Sequence, residues 1–387
     1  MKCKELFKEI DNLSSEYIKV FADVCNIESP TDYKAGVDEV GNYFVSLANR
    51  YGFTVERFPQ EKAGDVICIT MNPESTLAPV CFSGHMDTVH PVGLFGTPAV
   101  KIDGDKIYGP GVMDCKGGVV AGFLAMAALK NIGFTKRPVR LLLQSDEEVS
   151  SKDSNKATIN YIIDRSRDAV AFLNLEGYED AFEGKACLIR KGIVGLRFTI
   201  TGIETHASYC AKRGASAILD AAHKIMEIEQ FKQSDGITCN CGKIIGGTAR
   251  NTVPGKCEFL VDVRYCDMQQ RDYIMEKLQN IANTVHIEGC KCELEQISYR
   301  YPMMLNERNE KLLQNVNEIF KENGLSVLEI GARTGGSDAA DVTMAGIPCM
   351  DSIGVNGDFA HSVNEWASIP SLMESAKQLG AIAYCME

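Results

Sequence analysis

Two histidines flank one aspartate in the stretch Ser83-Gly-His-Met-Asp-Thr-Val-His90, and the whole chain has only six histidines. The preceding Ala78-Pro-Val-Cys-Phe82 reads as a short apolar strand closed by Ser-Gly, so His85 and Asp87 fall where a buried strand opens into a loop. Four more places put an acid or imidazole at a predicted strand end or in the loop after it: Asp114 in Gly109-Pro-Gly-Val-Met-Asp-Cys-Lys-Gly-Gly118, Glu147 and Glu148 in Ser145-Asp-Glu-Glu-Val149, Glu176 in Asn174-Leu-Glu-Gly177, and His361 in Asp358-Phe-Ala-His-Ser362. Each alone reads as a solvated acid or a hydrogen-bonded histidine. Together they are a mixed imidazole and carboxylate set, which suits Zn²⁺ or a similar transition ion, and one dinuclear site satisfies all of them. The pair Glu147-Glu148 is informative because neighbours at a strand end point in different directions, so one can ligate metal while the other faces a water whose pKa the metal has lowered.

The elements that must position these residues follow an α/β grammar up to about residue 187. Leu6 to Cys25 has the spacing of an amphipathic helix, Gly117 to Leu129 is an apolar helix after a glycine-rich turn, and Val139 to Leu143 and Ala169 to Leu175 read as buried strands. From Gly192 the order changes to strand (to Gly202), helix (Ala215 to Phe231), two strands (Ile237 to Ile245 and Lys256 to Arg264), helix (Gln269 to Val285) and strand (Lys291 to Tyr299), the β-α-β-β-α-β series of a ferredoxin-like unit. After Pro302 the α/β pattern resumes with a helix from Glu310 to Asn323 and strands at Val327 to Ile330 and Met350 to Val355. The expected fold class is therefore an α/β domain formed by 1–187 and 303–387, with an α+β domain, 188–302, inserted into it.

Bulk composition narrows the partners. A chain of 387 residues, 45% apolar and 24% charged, has the make-up of a globular protein with two cores. A net charge of −12 argues against nucleic acid or an anionic membrane as the main partner. The beginning, Met1-Lys-Cys-Lys-Glu-Leu-Phe, lacks the apolar run of a secretory signal, and the 15 scattered cysteines suit buried thiols of a reducing cytoplasm rather than a disulfide scaffold. Cys239, Cys241, Cys290 and Cys292 could in principle bind structural zinc, but their spacing is not that of a zinc knuckle, and they read as small apolar side chains.

His85-Met-Asp87, Gly109-Pro-Gly with Asp114 and Gly117-Gly118, Asp146-Glu-Glu148, and Thr334-Gly-Gly-Ser-Asp-Ala339 followed by His361 occur together and in order. With these motifs the chain resembles the M20 metallopeptidases, most of all their glutamate carboxypeptidase branch. That resemblance implies a zinc-peptidase-like catalytic domain with an inserted lid and dimerisation domain. It implies two Zn²⁺ ions, for which Co²⁺ or Mn²⁺ can substitute: one held by His85, Asp114 and Glu176, the other by Asp114, Glu148 and His361. Asp87 is expected to hold the His85 tautomer, Glu147 to be the general base toward a metal-bridging water, and His206 in Glu204-Thr-His-Ala-Ser208 to reach across a homodimer to the oxyanion. Asn251 and Arg264 match positions directed toward substrate, while His90 matches none and reads as structural.

Two departures qualify the likeness. Where the glutamate-specific branch carries Arg before the proline that closes the small domain, this chain has Tyr301, preceded by Arg300, so Arg300 or Arg333 would have to meet a substrate carboxylate. The residue after the bridging Asp114 is Cys115 rather than Asp, read as a packed thiol, and the resemblance implies a cis Asp114–Cys115 peptide. The activity implied is hydrolysis of a peptide or N-acyl bond next to a free carboxylate. An aminopeptidase or tripeptidase of the same family, which anchors a free amine, is the alternative within that chemistry. A metal-binding protein without turnover is the alternative outside it, and the presence of Glu147, which metal binding alone does not require, speaks against it.

Overall fold

The computed structural model describes residues 2–232 and 236–386, which divide into two compact units: 1–189 with 305–333 and 337–387, and 190–304 with 334–336. The first is a mixed α/β unit around a six-stranded sheet in the order Thr54–Phe58, Val66–Met71, Val139–Gln144, Val80–His85, Ala171–Asn174, Cys349–Met350. The last four strands run parallel, so their carboxyl ends open on one edge of the sheet. Ligand-binding loops of α/β sheets gather at such an edge. The first two strands are antiparallel, and they extend the sheet away from it.

Val80–His85 is buried at every position, as expected of a central parallel strand covered on both faces. The helix Lys116–Asn131 is buried continuously from Lys116 to Leu129, which its all-round apolar sequence requires. It packs against Lys4–Asn26 and Ile369–Cys385, and Gly133, at φ 75°, turns the chain out of it. Close approach of this helix to the sheet depends on Gly118, where a Cβ would stand 2.0 Å from the Leu175 carbonyl oxygen. That approach sets Asp114, two residues before the helix, against the loop that carries Glu176.

The second unit has a four-stranded antiparallel sheet in the order Thr238–Gly246, Lys256–Tyr265, Gly192–Thr201, Lys291–Arg300, with the helices Ala217–Ile228 and Met268–Asn283 between strands in the chain. This is the ferredoxin-like arrangement. Burial alternates residue by residue along Gly192–Thr201 and Lys256–Tyr265, so one face forms the core, where Phe198 and Phe259 stack with centroids 4.7 Å apart. Such a pair adds about 0.5–1.5 kcal/mol beyond the area it buries. Cys239 and Cys241 lie on one edge strand, and Cys292 on the other with Cys290 just before it. Two strands intervene, so at about 4.8 Å per step the two pairs are too far apart to share an ion.

Two edges differ from expectation. The strand expected at Met350 to Val355 is only Cys349–Met350, because Asp351 turns aside to accept from Ser352 N–H and Asn174 Nδ2, and Ser352 takes a left-handed φ of 61°. The strand expected at Val327 to Ile330 lies instead at Glu329–Arg333, pairing with Lys185–Arg190.

Candidate metal centre

His85 ends its strand with both ring nitrogens engaged. Nδ1 lies 2.9 Å from the Asp87 carbonyl oxygen and 3.4 Å from its Oδ1, so Nδ1 carries the proton and donates to the backbone carbonyl. Nε2 thereby faces Asp114 Oδ1 at 3.0 Å and Glu176 Oε1 at 3.8 Å. The tautomer is thus fixed chiefly by the backbone of Asp87, and its carboxylate does other work: it accepts from Thr31 Oγ1 (2.8 Å) and from the backbone N–H groups of Glu147 (3.2 Å) and Glu148 (3.1 Å). Asp87 therefore ties the His85 loop to the loop of the two glutamates.

Those glutamates stand in a turn after Val139–Gln144 rather than within the strand. Their neighbour Asp146 pins the turn from below by accepting from Thr158 Oγ1 (2.6 Å) and Ser154 N–H (2.9 Å). Glu147 is 9% exposed. Glu148 Oε2 lies 3.2 Å from His361 Nε2, which is 3.1 Å from Asp114 Oδ2. His361 itself adopts a left-handed φ of 63°, uncommon for a residue with a Cβ and a mark of a position fixed by its surroundings. Asp114, Glu148, Glu176, His85 and His361 are thus brought together, with the two oxygens of Asp114 turned to different imidazoles.

The electrostatics follow from that crowding. Burial and the charge of Asp114 push Glu148 up to about 8. Hydrogen bonds to Asp114 and Glu148 push His361 up to about 11 in spite of burial. Burial works against charge on His85 too, yet Cys115 and the bonds to Asp114 and Asp87 raise it well above the ordinary imidazole value. For Asp114, burial is outweighed by His361 and His85, which hold it far below the carboxylate range. The cluster draws positive charge to itself, as a cation site does.

The Asp114–Cys115 peptide is cis. Cys115 Sγ accepts the His85 N–H at 3.0 Å, and burial raises its pKa, both in keeping with a packed thiol, although its sulfur lies within 4.8 Å of ligand atoms of His85 and Glu176.

Reading the sequence overlooked Glu365. This fully buried carboxylate accepts from the backbone N–H groups of Gly111 (3.1 Å), Met113 (2.9 Å) and Asp114 (3.1 Å), and its Oε2 is 2.9 Å from His90 Nε2. The signal was available: an acid beside the strand Trp366–Ser368, four places after His361. His90 is accordingly a donor to Glu365.

In the small unit, His206 pairs with Thr252 in a two-stranded ladder, and Ala207 N–H donates to the Asn251 carbonyl at 2.9 Å, so His206 and Asn251 are neighbours. His206 Nδ1 accepts from Ser208 N–H at 3.2 Å, which makes Nε2 the protonated nitrogen of the neutral ring. Arg264 Nε donates to Asp262 (3.0 Å) and its Nη1 to the Thr334 carbonyl (2.8 Å). Arg333, in the large unit, donates to the Gly177 carbonyl (2.7 Å), to Ser352 Oγ (3.2 Å) and to Glu179. Arg300 is buried.

Residues 81–384 match the family model described as peptidase family M20/M25/M40. The chain is 27% identical over 362 residues to carboxypeptidase G2 of Pseudomonas sp. (strain RS-16), covering 92% of this chain and 86% of that protein. It is 24% identical over 380 residues to succinyl-diaminopimelate desuccinylase of Rickettsia akari (strain Hartford), covering 92% and 96%. The M20 family metallo-carboxypeptidase Sso-CP2 of Sulfolobus solfataricus shares the fold, with a TM-score of 0.77 at 18% identity over 95% of this chain and 98% of that one. With a family match over most of its length and an imidazole and carboxylate cluster at the parallel-strand edge, the chain belongs to peptidase family M20/M25/M40 and is a metallohydrolase of that family.

Proposed function

We propose that this protein is a dinuclear zinc hydrolase that cleaves an amide bond next to a free carboxylate, either a peptide bond or the N-acyl bond of an amino acid. The observation that carries the reading is Asp114, whose Oδ1 faces His85 at 3.0 Å and Oδ2 faces His361 at 3.1 Å. A carboxylate that bridges two cations presents its oxygens in this way. His85, Asp114 and Glu176 would hold one ion, and Asp114, Glu148 and His361 the other. Nitrogen and oxygen donors of this mixture suit Zn²⁺, with Co²⁺ or Mn²⁺ as substitutes. Bound there, the cations supply Lewis acidity toward the scissile carbonyl and make water acidic near neutral pH.

The remaining roles belong to side chains. Glu147, held through its backbone by Asp87, takes the proton of the attacking water and delivers it to the leaving amine. His206 donates from Nε2 to the developing oxyanion. Asn251 contacts substrate, and Arg264 and Arg333 are cations on the substrate side, each steadied by an acid of its own unit. A cleft of about 500 Å³ beside Glu148, lined by Pro30, Tyr33, Val89, Val92 and Val149 among others, has the apolar walls to take a substrate side chain. The similarity to a carboxypeptidase and to a desuccinylase supports both the free carboxylate and the option of an N-acyl bond.

In this reading the small unit is lid and dimerisation surface, with His206 acting across a homodimer. Support comes from the edge strand Thr238–Gly246, where Ile244 and Ile245 are 52% and 60% exposed, and from Met226, 69% exposed on the helix Ala217–Ile228. An unpaired edge carrying exposed apolar side chains is what a second copy covers. Cytoplasmic residence agrees with the free, mostly buried cysteines such as Cys25, Cys81 and Cys257. No helix among the described residues is long and apolar enough to cross a membrane.

The test is hydrolysis of N-acetyl amino acids, dipeptides and tripeptides with free or blocked termini, by zinc-loaded protein and by Glu147→Gln. Turnover that needs a free carboxylate and disappears in the variant upholds the proposal. A requirement for a free amine instead moves the enzyme to an aminopeptidase or tripeptidase specificity, and two bound metals without any cleavage would overturn the assignment of activity.

A further inference from the structure

We propose that Glu365 is the positioning residue of the metal centre: its buried carboxylate sets the Asp114 bridge and ties the three loops that carry His85, Asp114 and His361 into one rigid body. The inference rests on the metal-binding reading given above. Each oxygen of Glu365 receives two donors: Oε1 the N–H groups of Met113 (2.9 Å) and Asp114 (3.1 Å), Oε2 the N–H of Gly111 (3.1 Å) and Nε2 of His90 (2.9 Å). Four donors on two oxygens satisfy a carboxylate without any cation, so Glu365 has no spare lone pair to offer a metal and serves the site through its neighbours.

Its connections account for the loops one by one. Three backbone N–H groups between Gly111 and Asp114 hang from it, that of Asp114 included. The His85 loop reaches it through His90, five residues downstream of the ligand and packed edge-on against Phe95 at 5.0 Å. The His361 loop is joined covalently and folded back by Ser362 N–H to Phe359 O (3.1 Å) and Glu365 N–H to Ser362 O (3.1 Å). Glu365 is fully buried, so water cannot stand in for a lost acceptor. A ligand carboxylate that must divide its two oxygens between two ions has little tolerance for rotation, and groups that orient metal ligands typically alter affinity by about 10–100-fold when replaced.

The probe is Co²⁺ titrated into chelator-treated protein, followed by calorimetry and by visible absorption, on wild type, Glu365→Gln and His90→Phe, with melting temperature recorded for each. Glu365→Gln keeps size but turns an amide NH₂ toward two donors in either orientation; if the NH₂ faces His90, a change of His90 tautomer relieves one of the two clashes. The expected result is a folded Glu365→Gln protein with Co²⁺ affinity lowered about 10–100-fold, an altered Co²⁺ spectrum, and kcat reduced far more than KM is raised. His90→Phe, which keeps the ring on Phe95 and removes one donor, should show the same changes in smaller measure. Folded variants that bind two Co²⁺ with wild-type affinity and spectrum would overturn the proposal, whatever their melting temperatures; should Glu365→Gln not fold, His90→Phe decides alone. Wild type that binds no Co²⁺ would instead sink the metal-centre reading itself, which keeps the two failures apart.

Discussion

The groups around Asp114 in the large unit are held from behind, whereas His206 and Asn251 of the small unit have few bonds and face solvent. His85 donates to the Asp87 carbonyl, the backbones of Glu147 and Glu148 hang on the Asp87 carboxylate, and the backbone of Asp114 hangs on Glu365. His206 and Asn251 are exposed, the first steadied through Nδ1 by Ser208 and the second placed by a backbone bond. A metal centre needs its donors within a fraction of an ångström and buried charge must be paired, so its surroundings are over-determined. Recognition of a substrate that comes and goes needs exposed groups, and their neighbours are correspondingly few.

That contrast can be broken by mutation, and the largest effect is expected at its rigid pole. Glu147→Gln should lower kcat by about 10³–10⁴-fold while two metals per chain remain, as steady-state kinetics with elemental analysis would measure. Should His206→Ala be the more damaging change, the division of labour between the units is wrong; its expected loss is about 10²–10³-fold in kcat, with metal content unaltered.

Acidity sharpens the contrast next. Glu148, pushed up to about 8, and His361, pushed up to about 11, both hold protons at neutral pH when the site lacks cations, and a cation must displace them. Metal affinity therefore rises with pH, by about tenfold per pH unit for each proton released. Calorimetry in buffers of different ionisation enthalpy counts those protons, and an affinity that is flat between pH 6 and 8 contradicts the crowding described. The smallest effect belongs to the small unit's thiols: Cys241→Ser with Cys292→Ser should leave metal content unchanged and shift stability by about 1 kcal/mol or less.

Much of this centre could be read from sequence because its donors fall at the ends of apolar strands or in the loops after them, and an acid or imidazole there demands a partner. Glu365 escapes that rule, since it precedes its strand, and a carboxylate needed to hold backbone looks no different in sequence from one that is solvated. Asp87 illustrates a finer limit: its place in His85-Met-Asp87 points to a role beside His85, yet only coordinates reveal that its carbonyl, not its carboxylate, takes the closer position on Nδ1. The fold was legible where periodicity is strong, as in the alternating strands Gly192–Thr201 and Lys256–Tyr265. It failed at Met350 to Val355, where an apolar run looks like strand but a left-handed Ser352 and the bonds of Asp351 bend the chain away. Side-chain capture of backbone of this kind leaves no periodic trace.

The small unit occupies residues 190–304, so the chain supplies His85, Asp114, Glu148 and Glu176 before it and His361 with Glu365 after it. A ribosome therefore releases three of the acids and one imidazole long before their remaining partners exist. During that interval the acids must stay protonated, apart or shielded, and a chain cut short within the inserted segment can never close its centre. Closure of the whole cluster thus marks a polypeptide that has been read through to its last loop and folded back upon its first.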